Sequence, residues 1–200
     1  MLPLNIAIFA SGGGSNARQV LRHFADSPHG KVVLTLSNNA QSGIFDFAPD
    51  FKVPAQHIPK AFYRDGEALI TLLQDYQVDL IVLAGYLKLI PAAVVAAFPD
   101  RILNIHPSLL PAHGGKGMYG MRVHEAVIAA GDKESGMTVH YVNERYDEGA
   151  VIFQDKVQVG ANWTARDLQQ AVLKLEHQHY PAQIEQVCIY IQEQASPEEA

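Results

Sequence analysis

The predicted fold depends on the stretch Ile102-Leu103-Asn104-Ile105-His106-Pro107-Ser108-Leu109-Leu110-Pro111. Apolar residues lead into it and two prolines end it, which predicts a buried strand followed by a rigid loop. Because side chains alternate along a strand, Asn104 and His106 share one face while Leu103 and Ile105 pack on the other. Ligands of open α/β sheets bind at the strands' carboxyl ends, so this polar pair is a candidate site. A pair that only ties down a neighbouring loop by hydrogen bonds is the alternative.

A second strand precedes a glycine-rich turn near the N-terminus. Leu4 to Ala10 is apolar, and Ser11-Gly12-Gly13-Gly14-Ser15-Asn16 leads from it into a helical pattern. Such a turn frees backbone N–H groups at a helix N-terminus, which suits a phosphate or carboxylate. Gly12-x-Gly14-x-x-Ala17 also fits a loose dinucleotide motif, but Ser37-Asn38-Asn39 ends the next strand without the required acidic residue. We therefore favour phosphate binding, with a plain tight connection as the alternative.

The remaining patterns alternate between strands and helices. Asp79 to Gly85 is the most apolar strand, Phe62 to Gln77 predicts an amphipathic helix, and a long helix from Ala165 is expected to break or kink at Pro181. This order predicts an α/β fold with an open, mostly parallel sheet and helices on both faces. Residues 1–195 are expected to form a single domain, followed by a frayed acidic tail at 196–200. The amphipathic helix predicted over Phe62 to Gln77 should turn these residues toward the core: Ala68, Leu69, Leu72 and Leu73.

Three loops could contribute to the same site. The apolar run Tyr86 to Ile90, which includes Lys88, is either ordinary core or one wall of a slot for a flat ring. His113 to Gly120 is too glycine-rich for regular structure and is expected to be a mobile loop over the site. Its Lys116 either reaches an anion or stays solvated. Asp147 lies in a turn that would present an acid to the crevice, or is a plain turn residue.

The composition excludes several classes of protein. A formal net charge of −6 argues against a general nucleic-acid or membrane-surface binder. The single cysteine, Cys188, excludes a disulfide framework and a cysteine-based zinc site. The nine histidines show no metal-ligand spacing, and no Gly-x-Ser-x-Gly elbow of a serine hydrolase occurs. The missing ligand spacing leads us to expect no metal. No apolar run reaches membrane-spanning length, so a cytoplasmic protein is expected.

The candidate residues together suggest acyl transfer without a covalent intermediate. An amide (Asn104) and an imidazolium (His106) can stabilise an oxyanion, while a carboxylate (Asp147) orients the imidazole and raises its pKa. These residues and their neighbouring motifs resemble the folate-dependent formyltransferase family, and within it the glycinamide ribonucleotide formyltransferases of purine biosynthesis. The resemblance rests on these segments, in this order: Ser11 to Asn16, Leu83 to Lys88, Asn104 to Pro111 and Asp147 to Gly149.

The resemblance implies a Rossmann-like formyltransferase fold, the substrates and the site residues. 10-formyltetrahydrofolate would give its formyl group to the amine of glycinamide ribonucleotide, with Asn104, His106 and Asp147 as catalytic residues. The resemblance assigns ribonucleotide binding to Gly14, Ser15, Asn16 and Glu176, and folate binding to Arg64, Leu87, Lys88, Leu89, Ile90 and Asn104. It implies a monomer or homodimer that binds neither nucleic acid nor membrane.

Two features depart from the family pattern, and three other functions stay open. Lys88 stands where arginine is frequent, and the loop His113 to Gly120 is longer and richer in glycine than usual. A methionyl-tRNA formyltransferase would be expected to have a further C-terminal RNA-binding domain and a basic charge. A formyltetrahydrofolate hydrolase would be expected to have an extra N-terminal regulatory domain. A non-catalytic nucleotide-binding module would leave Asn104, His106 and Asp147 unexplained.

Overall fold

The computed structural model describes residues 2–64 and 66–195, and within them seven strands form one sheet. The strands are β1 Leu4–Phe9, β2 Gly30–Ser37, β3 Ala55–His57, β4 Leu80–Leu83, β5 Ile102–His106, β6 Glu134–Tyr141 and β7 Val151–Gln158. The helices are α1 Ser15–His23, α2 Ile44–Phe47, α3 Glu67–Asp75, α4 Ala92–Ala97, α5 Met121–Ala130 and α6 Ala165–Ala195. Short 3-10 turns span Ala48–Phe51 and Lys60–Tyr63.

The sheet has the strand order β3-β2-β1-β4-β5-β6-β7. Strands β1 to β5 run parallel, whereas β6 and β7 pair antiparallel at one edge. The prediction of an open, mostly parallel sheet is confirmed. The chain runs outward from β1 through β2 to β3 and then returns to β4 on the other side of β1. A topological switch point therefore lies between β1 and β4, where open α/β sheets place their ligands.

Strand β1 shows why helices must cover both faces of the sheet. Ile6 and Ile8 point to the core under α1 and α6, and Ala7 and Phe9 point to the core under α3 and α4. All four side chains are fully buried. A parallel strand with two apolar faces requires cover on both sides, so the predicted two-sided arrangement is confirmed.

Helix α3 is shorter than the sequence pattern predicted. The pattern covered Phe62 to Gln77, but Gly66 adopts a φ of 87°, which ends any helical path before Glu67. A Lys60–Tyr63 3-10 turn takes the place of the first predicted turn. Leu69 is fully buried as predicted, but Ala68 is exposed, which corrects its predicted inward position.

Helix α6 packs across the strands that lead to the site. The buried Tyr180 hydroxyl donates a hydrogen bond to the Leu83 carbonyl at 3.0 Å and lies 3.4 Å from the Leu103 carbonyl. Because these carbonyls belong to β4 and β5, Tyr180 fastens the helix to both strands. Pro181 does not break the helix, which continues to Ala195.

The domain boundaries and the membrane question concern the chain as a whole. The predicted tail at 196–200 lies outside the described residues, and the single domain at 1–195 stays a prediction. Within residues 2–64 and 66–195, no helix combines the length and apolar character needed to cross a bilayer.

Tyr180→Phe is expected to lower the free energy of unfolding by about 1–2 kcal/mol, because it removes a buried hydrogen bond. Urea denaturation followed by circular dichroism measures the change. Tyr190→Phe is the matched control, since Tyr190 lies on the same helix and is 56% exposed. It should change the free energy by less than about 0.5 kcal/mol. Equal losses in the two variants would contradict the role given to Tyr180.

Candidate active site

A cavity of about 450 Å³ opens at the carboxyl ends of β1, β4 and β5, which is the switch point of the sheet. Its volume lies in the range of small-molecule sites. The loops after β1 and β4 are joined there, because the Ser11 N–H donates to the Gly85 carbonyl and the Leu87 N–H donates to the Ser11 hydroxyl. The cavity brings together these predicted residues: Gly14, Ser15, Asn16, Leu87, Lys88, Leu89, Ile90, Asn104, His106, Asp147 and Glu176.

Two residues singled out from the sequence do not line this cavity. Arg64 is exposed at the end of the Lys60–Tyr63 turn. Lys116 is exposed between Gly115 and Gly117, which do line it. Contact of Arg64 with folate therefore stays a prediction, and the role of Lys116 stays open.

The loop that follows β5 is fastened by hydrogen bonds to β6. The Thr138 hydroxyl donates to the Ser108 carbonyl at 2.6 Å and accepts the Leu110 N–H at 3.0 Å. The Ser108 hydroxyl donates to the Ala112 carbonyl at 2.6 Å. These bonds satisfy the polar groups of a buried turn, which accounts for the rigid loop that the prolines predict.

Asn104 is paired with His140 on the neighbouring strand. Strands β5 and β6 are in register so that Asn104 lies opposite His140. His140 Nδ1 lies 2.8 Å from the Tyr141 carbonyl, which can only accept, so Nδ1 carries the proton. In the neutral ring, Nε2 then accepts the Asn104 amide N–H at 3.1 Å. His140 thereby fixes which way the Asn104 amide points.

His106 is held between a backbone carbonyl and a carboxylate. Its Nε2–H donates to the His113 carbonyl at 2.9 Å, and its Nδ1 lies 3.4 Å from Asp147 Oδ2. Burial lowers the pKa of His106, while the Asp147 carboxylate and the His113 carbonyl act in the opposite direction. The Nδ1 contact exceeds the 2.7–2.9 Å range of a tight charged hydrogen bond. The pKa of His106 is lowered overall, so Nδ1 is open to a ligand and carries a proton only when that ligand brings further negative charge.

Asp147 reaches the site from the turn before β7. Its backbone lies in the left-handed region at φ 57°, which Asp tolerates better than most residues. Burial acts to raise the pKa of its carboxyl. The His140 and His106 rings, when they carry a proton on the nitrogen that faces Asp147, and the Gly115 N–H, which donates at 2.8 Å, hold that pKa below its usual range. The side chain is therefore a carboxylate at neutral pH. The predicted presentation of an acid to the crevice matches this geometry.

The glycine turn presents a helix N-terminus to the opposite side of the cavity. Gly14 caps α1 at φ 72°, and a Cβ there would lie 2.9 Å from the Phe47 ring, so no other residue fits this turn well. The Asn16 amide N–H donates to Glu176 Oε2 at 2.6 Å. Burial raises the pKa of Glu176 to about 7, against the Asn16 hydrogen bond. Asn16 Oδ1 is buried without a partner among the described residues, so it is available to a donor group of a ligand.

The run after β4 forms an apolar wall with two layers. Tyr86 and Ile90 are buried, with Tyr86 packed edge-on against Phe9. Leu87 and Leu89 are 47% and 41% exposed and line the cavity. The sequence left open whether this run is core or the wall of a slot. Leu87 and Leu89 form a wall of the cavity, whereas Tyr86 and Ile90 belong to the core.

His124 was not predicted as a site residue, yet it lines the cavity. It lies on α5, is buried, and has no hydrogen-bond partner for Nδ1 among the described residues. Burial and the neighbouring His106 lower its pKa to about 4. The sequence predicts that His124 lies on a helix after a glycine-rich loop. Helical spacing does not show which face of that helix packs against β5, so the position of His124 in the cavity could not be predicted.

The arrangement combines oriented hydrogen-bond donors, a carboxylate and the N-terminus of α1 in one cavity. Asn104 and His106 can donate to an oxygen that gains negative charge, and Asp147 can accept a proton. No cluster of three or more His, Cys, Asp or Glu in the described part of the chain could hold a metal ion. The side chains of this cavity supply donors and a base of the kind used in acyl transfer.

A family profile described as "Formyl transferase" matches residues 4–184. The chain belongs to the formyl transferase family. This confirms the family that the sequence motifs indicated, and the fold agrees with solved members. A structure described as glycinamide ribonucleotide transformylase 1 from Symbiobacterium toebii superposes with a TM-score of 0.85 at 36% identity, covering 93% of this chain and 88% of that one.

Two relatives of this chain show how much of their length is shared. A chloroplastic phosphoribosylglycinamide formyltransferase of Arabidopsis thaliana is 45% identical over 92% of this chain, which spans 65% of that protein, less than two thirds. A phosphoribosylglycinamide formyltransferase of Bacillus subtilis is 34% identical over 90% of this chain and 93% of that protein.

Glu176→Gln should be more stabilising at pH 8 than at pH 5. The folded pKa of about 7 lies above the usual 4.5, so the protonated carboxyl stabilises the fold at low pH and this contribution is lost as the pH rises through 7. The shift corresponds to roughly 3 kcal/mol in full, most of it between pH 5 and pH 8. Urea denaturation at both pH values measures the difference.

Glu193→Gln is the control, because Glu193 is exposed on the same helix. It should change the free energy of unfolding equally at the two pH values. The burial argument for Glu176 fails if Glu176→Gln behaves in the same way.

Proposed function

We propose that this chain transfers the formyl group of 10-formyltetrahydrofolate to the amine of glycinamide ribonucleotide. The products are formylglycinamide ribonucleotide and tetrahydrofolate, in de novo purine biosynthesis. The observation that carries the proposal is the convergence of Asn104, His106 and Asp147 in a cavity that also contains the Gly14 turn. The printed names of the Arabidopsis and Bacillus relatives support the same substrates.

The ribonucleotide is proposed to bind on the α1 side of the cavity. Backbone N–H groups of Gly14, Ser15 and Asn16 suit its phosphate, because the helix N-terminus is partly positive. Glu176 and the free Asn16 Oδ1 accept hydrogen bonds from the ribose hydroxyls. This arrangement aims the amine of the substrate toward β5.

The folate is proposed to bind against the apolar wall after β4. Leu87 and Leu89 expose apolar surface to a flat ring, and Ile90 backs them from the core. Lys88 replaces a frequent arginine, so it contributes a single charge in place of a two-pronged contact. Arg64 lies outside the cavity, so its proposed contact with folate requires the Lys60–Tyr63 turn to move toward the ligand.

The chemistry is proposed to proceed by direct attack. The amine nitrogen bonds to the formyl carbon, and the carbonyl oxygen takes the negative charge. Asn104 Nδ2 and protonated His106, through Nδ1, donate to that oxygen, and the negative charge itself favours the charged imidazole. Asp147 accepts a proton from the amine, and folate N10 receives a proton as its bond to carbon breaks. Water can carry the proton between these positions.

The assembly and setting follow the same proposal. We take residues 1–195 as a single domain, acting as a monomer or a homodimer in the cytoplasm. The reaction needs no metal, and neither a nucleic acid nor a membrane takes part.

Turnover of 10-formyltetrahydrofolate by the purified protein, followed by absorbance, tests the function. Turnover that requires glycinamide ribonucleotide is expected. Equal turnover without the acceptor would identify a hydrolase, and absence of turnover under both conditions would favour a binding module. His106→Ala should lower kcat by about 100- to 1000-fold, the cost of one oxyanion donor.

His57→Ala is the matched control for this variant. His57 also ends a strand, β3, but it is exposed and lies outside the cavity. Its kcat should stay close to that of the wild type. Near-full turnover in His106→Ala would refute the role of His106.

A further inference from the structure

The loop after β5 holds His106 through its backbone. The His113 carbonyl accepts the Nε2–H of His106 at 2.9 Å, so the position of one loop carbonyl sets the direction of the ring. Two residues later, the Gly115 N–H donates to Asp147 Oδ2 at 2.8 Å. The short segment from His113 to Gly115 therefore contacts both members of the His106 and Asp147 pair.

The segment has little freedom on the side that faces Asp147. A Cβ at Gly114 would lie 2.5 Å from a methyl carbon of Leu110 and 3.3 Å from the Asp147 Cβ, so the backbone passes close to both side chains. His113 itself lies in the left-handed region at φ 52°. A backbone of this kind needs an anchor to persist, because most residues leave that region readily.

The anchor on the outer side is a hydrogen bond to Asp132, two residues beyond the end of helix α5. His113 Nε2 lies 2.6 Å from Asp132 Oδ2, the distance of a tight charge-assisted hydrogen bond. Asp132 is itself fixed, because its N–H donates to the Val127 carbonyl beyond the glycine that ends α5. The ring of His113 thus ties the loop carbonyl to a helix.

We infer that Asp132 and the His113 side chain are positioning residues for His106. They hold the His113 carbonyl where it orients the His106 ring, and neither side chain is required to touch a substrate. The inference rests on the proposed formyl transfer for its effect on turnover. Its effect on the His106 ring is independent of that function.

The contact between His113 and Asp132 affects the direction of the His106 ring far more than the free energy of unfolding. The side chains of His113 and Asp132 are 18% and 40% exposed, and ion pairs near the surface contribute at most about 1 kcal/mol. Transition-state stabilisation is much more sensitive, because a displacement of about 1 Å in a reacting group can cost 100-fold in rate. A variant without the anchor should therefore fold normally and turn over slowly.

Asp132→Ala tests the inference, with Asp132→Asn as the conservative variant. Asp132→Ala should lower kcat on the order of tenfold while KM for both substrates stays within about twofold. Asp132→Asn should recover most of the loss, because an amide oxygen still accepts the His113 N–H. Glu134→Ala is the matched control, since Glu134 is 41% exposed and paired with Lys156.

A titration of His106 by NMR distinguishes positioning from a general structural effect. Loosening the His113 carbonyl removes a contact that raises the pKa of His106, so Asp132→Ala should titrate at a lower pH than the wild type. The other titratable groups that face His106 are Asp147, His140, the His113 ring and His124. Of these, only the His113 ring loses a partner in Asp132→Ala. The His113 carbonyl raises the pKa of His106 more than the charge of the His113 ring lowers it, so the carbonyl contact sets the direction of the change.

The outcomes separate the two proposals. A wild type without formyl transfer would remove the proposed function, and the titration would still decide the positioning role. An unchanged His106 titration in Asp132→Ala would overturn the inference, whether or not kcat falls. A lower kcat together with a lower pKa, both recovered in Asp132→Asn, would support it.

Discussion

The buried imidazole of His106 is the constraint on which this site depends. A ring with 4% exposure loses its hydration, so its nitrogens face groups of the protein instead of water. The partners come from segments far apart in sequence, the His113 carbonyl and the Asp147 carboxylate. The antiparallel pairing of β5 with β6, followed by the turn before β7, brings Asp147 back to the end of β5. The antiparallel edge of the sheet therefore places Asp147 beside His106.

The other half of the site follows from the parallel part of the sheet. The switch point between β1 and β4 leaves a crevice, and the glycine turn opens the first helix toward it. Asn16 on α1 and Glu176 on α6 meet across this crevice at 2.6 Å. A ligand that spans the cavity contacts an anion-binding turn at one end and Asn104 with His106 at the other.

Local patterns predicted the parts of the site that lie on single elements. Alternation along β5 predicted the shared face of Asn104 and His106, and the glycine turn predicted the α1 N-terminus. Contacts that depend on register between distant strands could not be read in this way, so the pairing of Asn104 with His140 stayed open. The role of the His113 carbonyl could not be predicted, because every residue has a backbone carbonyl and the pattern of side chains does not show which one accepts a hydrogen bond. Helix α3 was overextended because apolar spacing continued past Gly66, whose positive φ the pattern does not encode.

The titration of His106 in the wild type and in Asp147→Asn tests most directly whether the carboxylate acts on the imidazole. Specific 13C labelling of histidine resolves the ring signals, and Glu148→Gln, an exposed neighbour paired with Arg145, is the control. The Asp147 carboxylate raises the pKa of His106, so its neutralisation should move the titration to lower pH. An unchanged or higher pKa in Asp147→Asn would contradict the account.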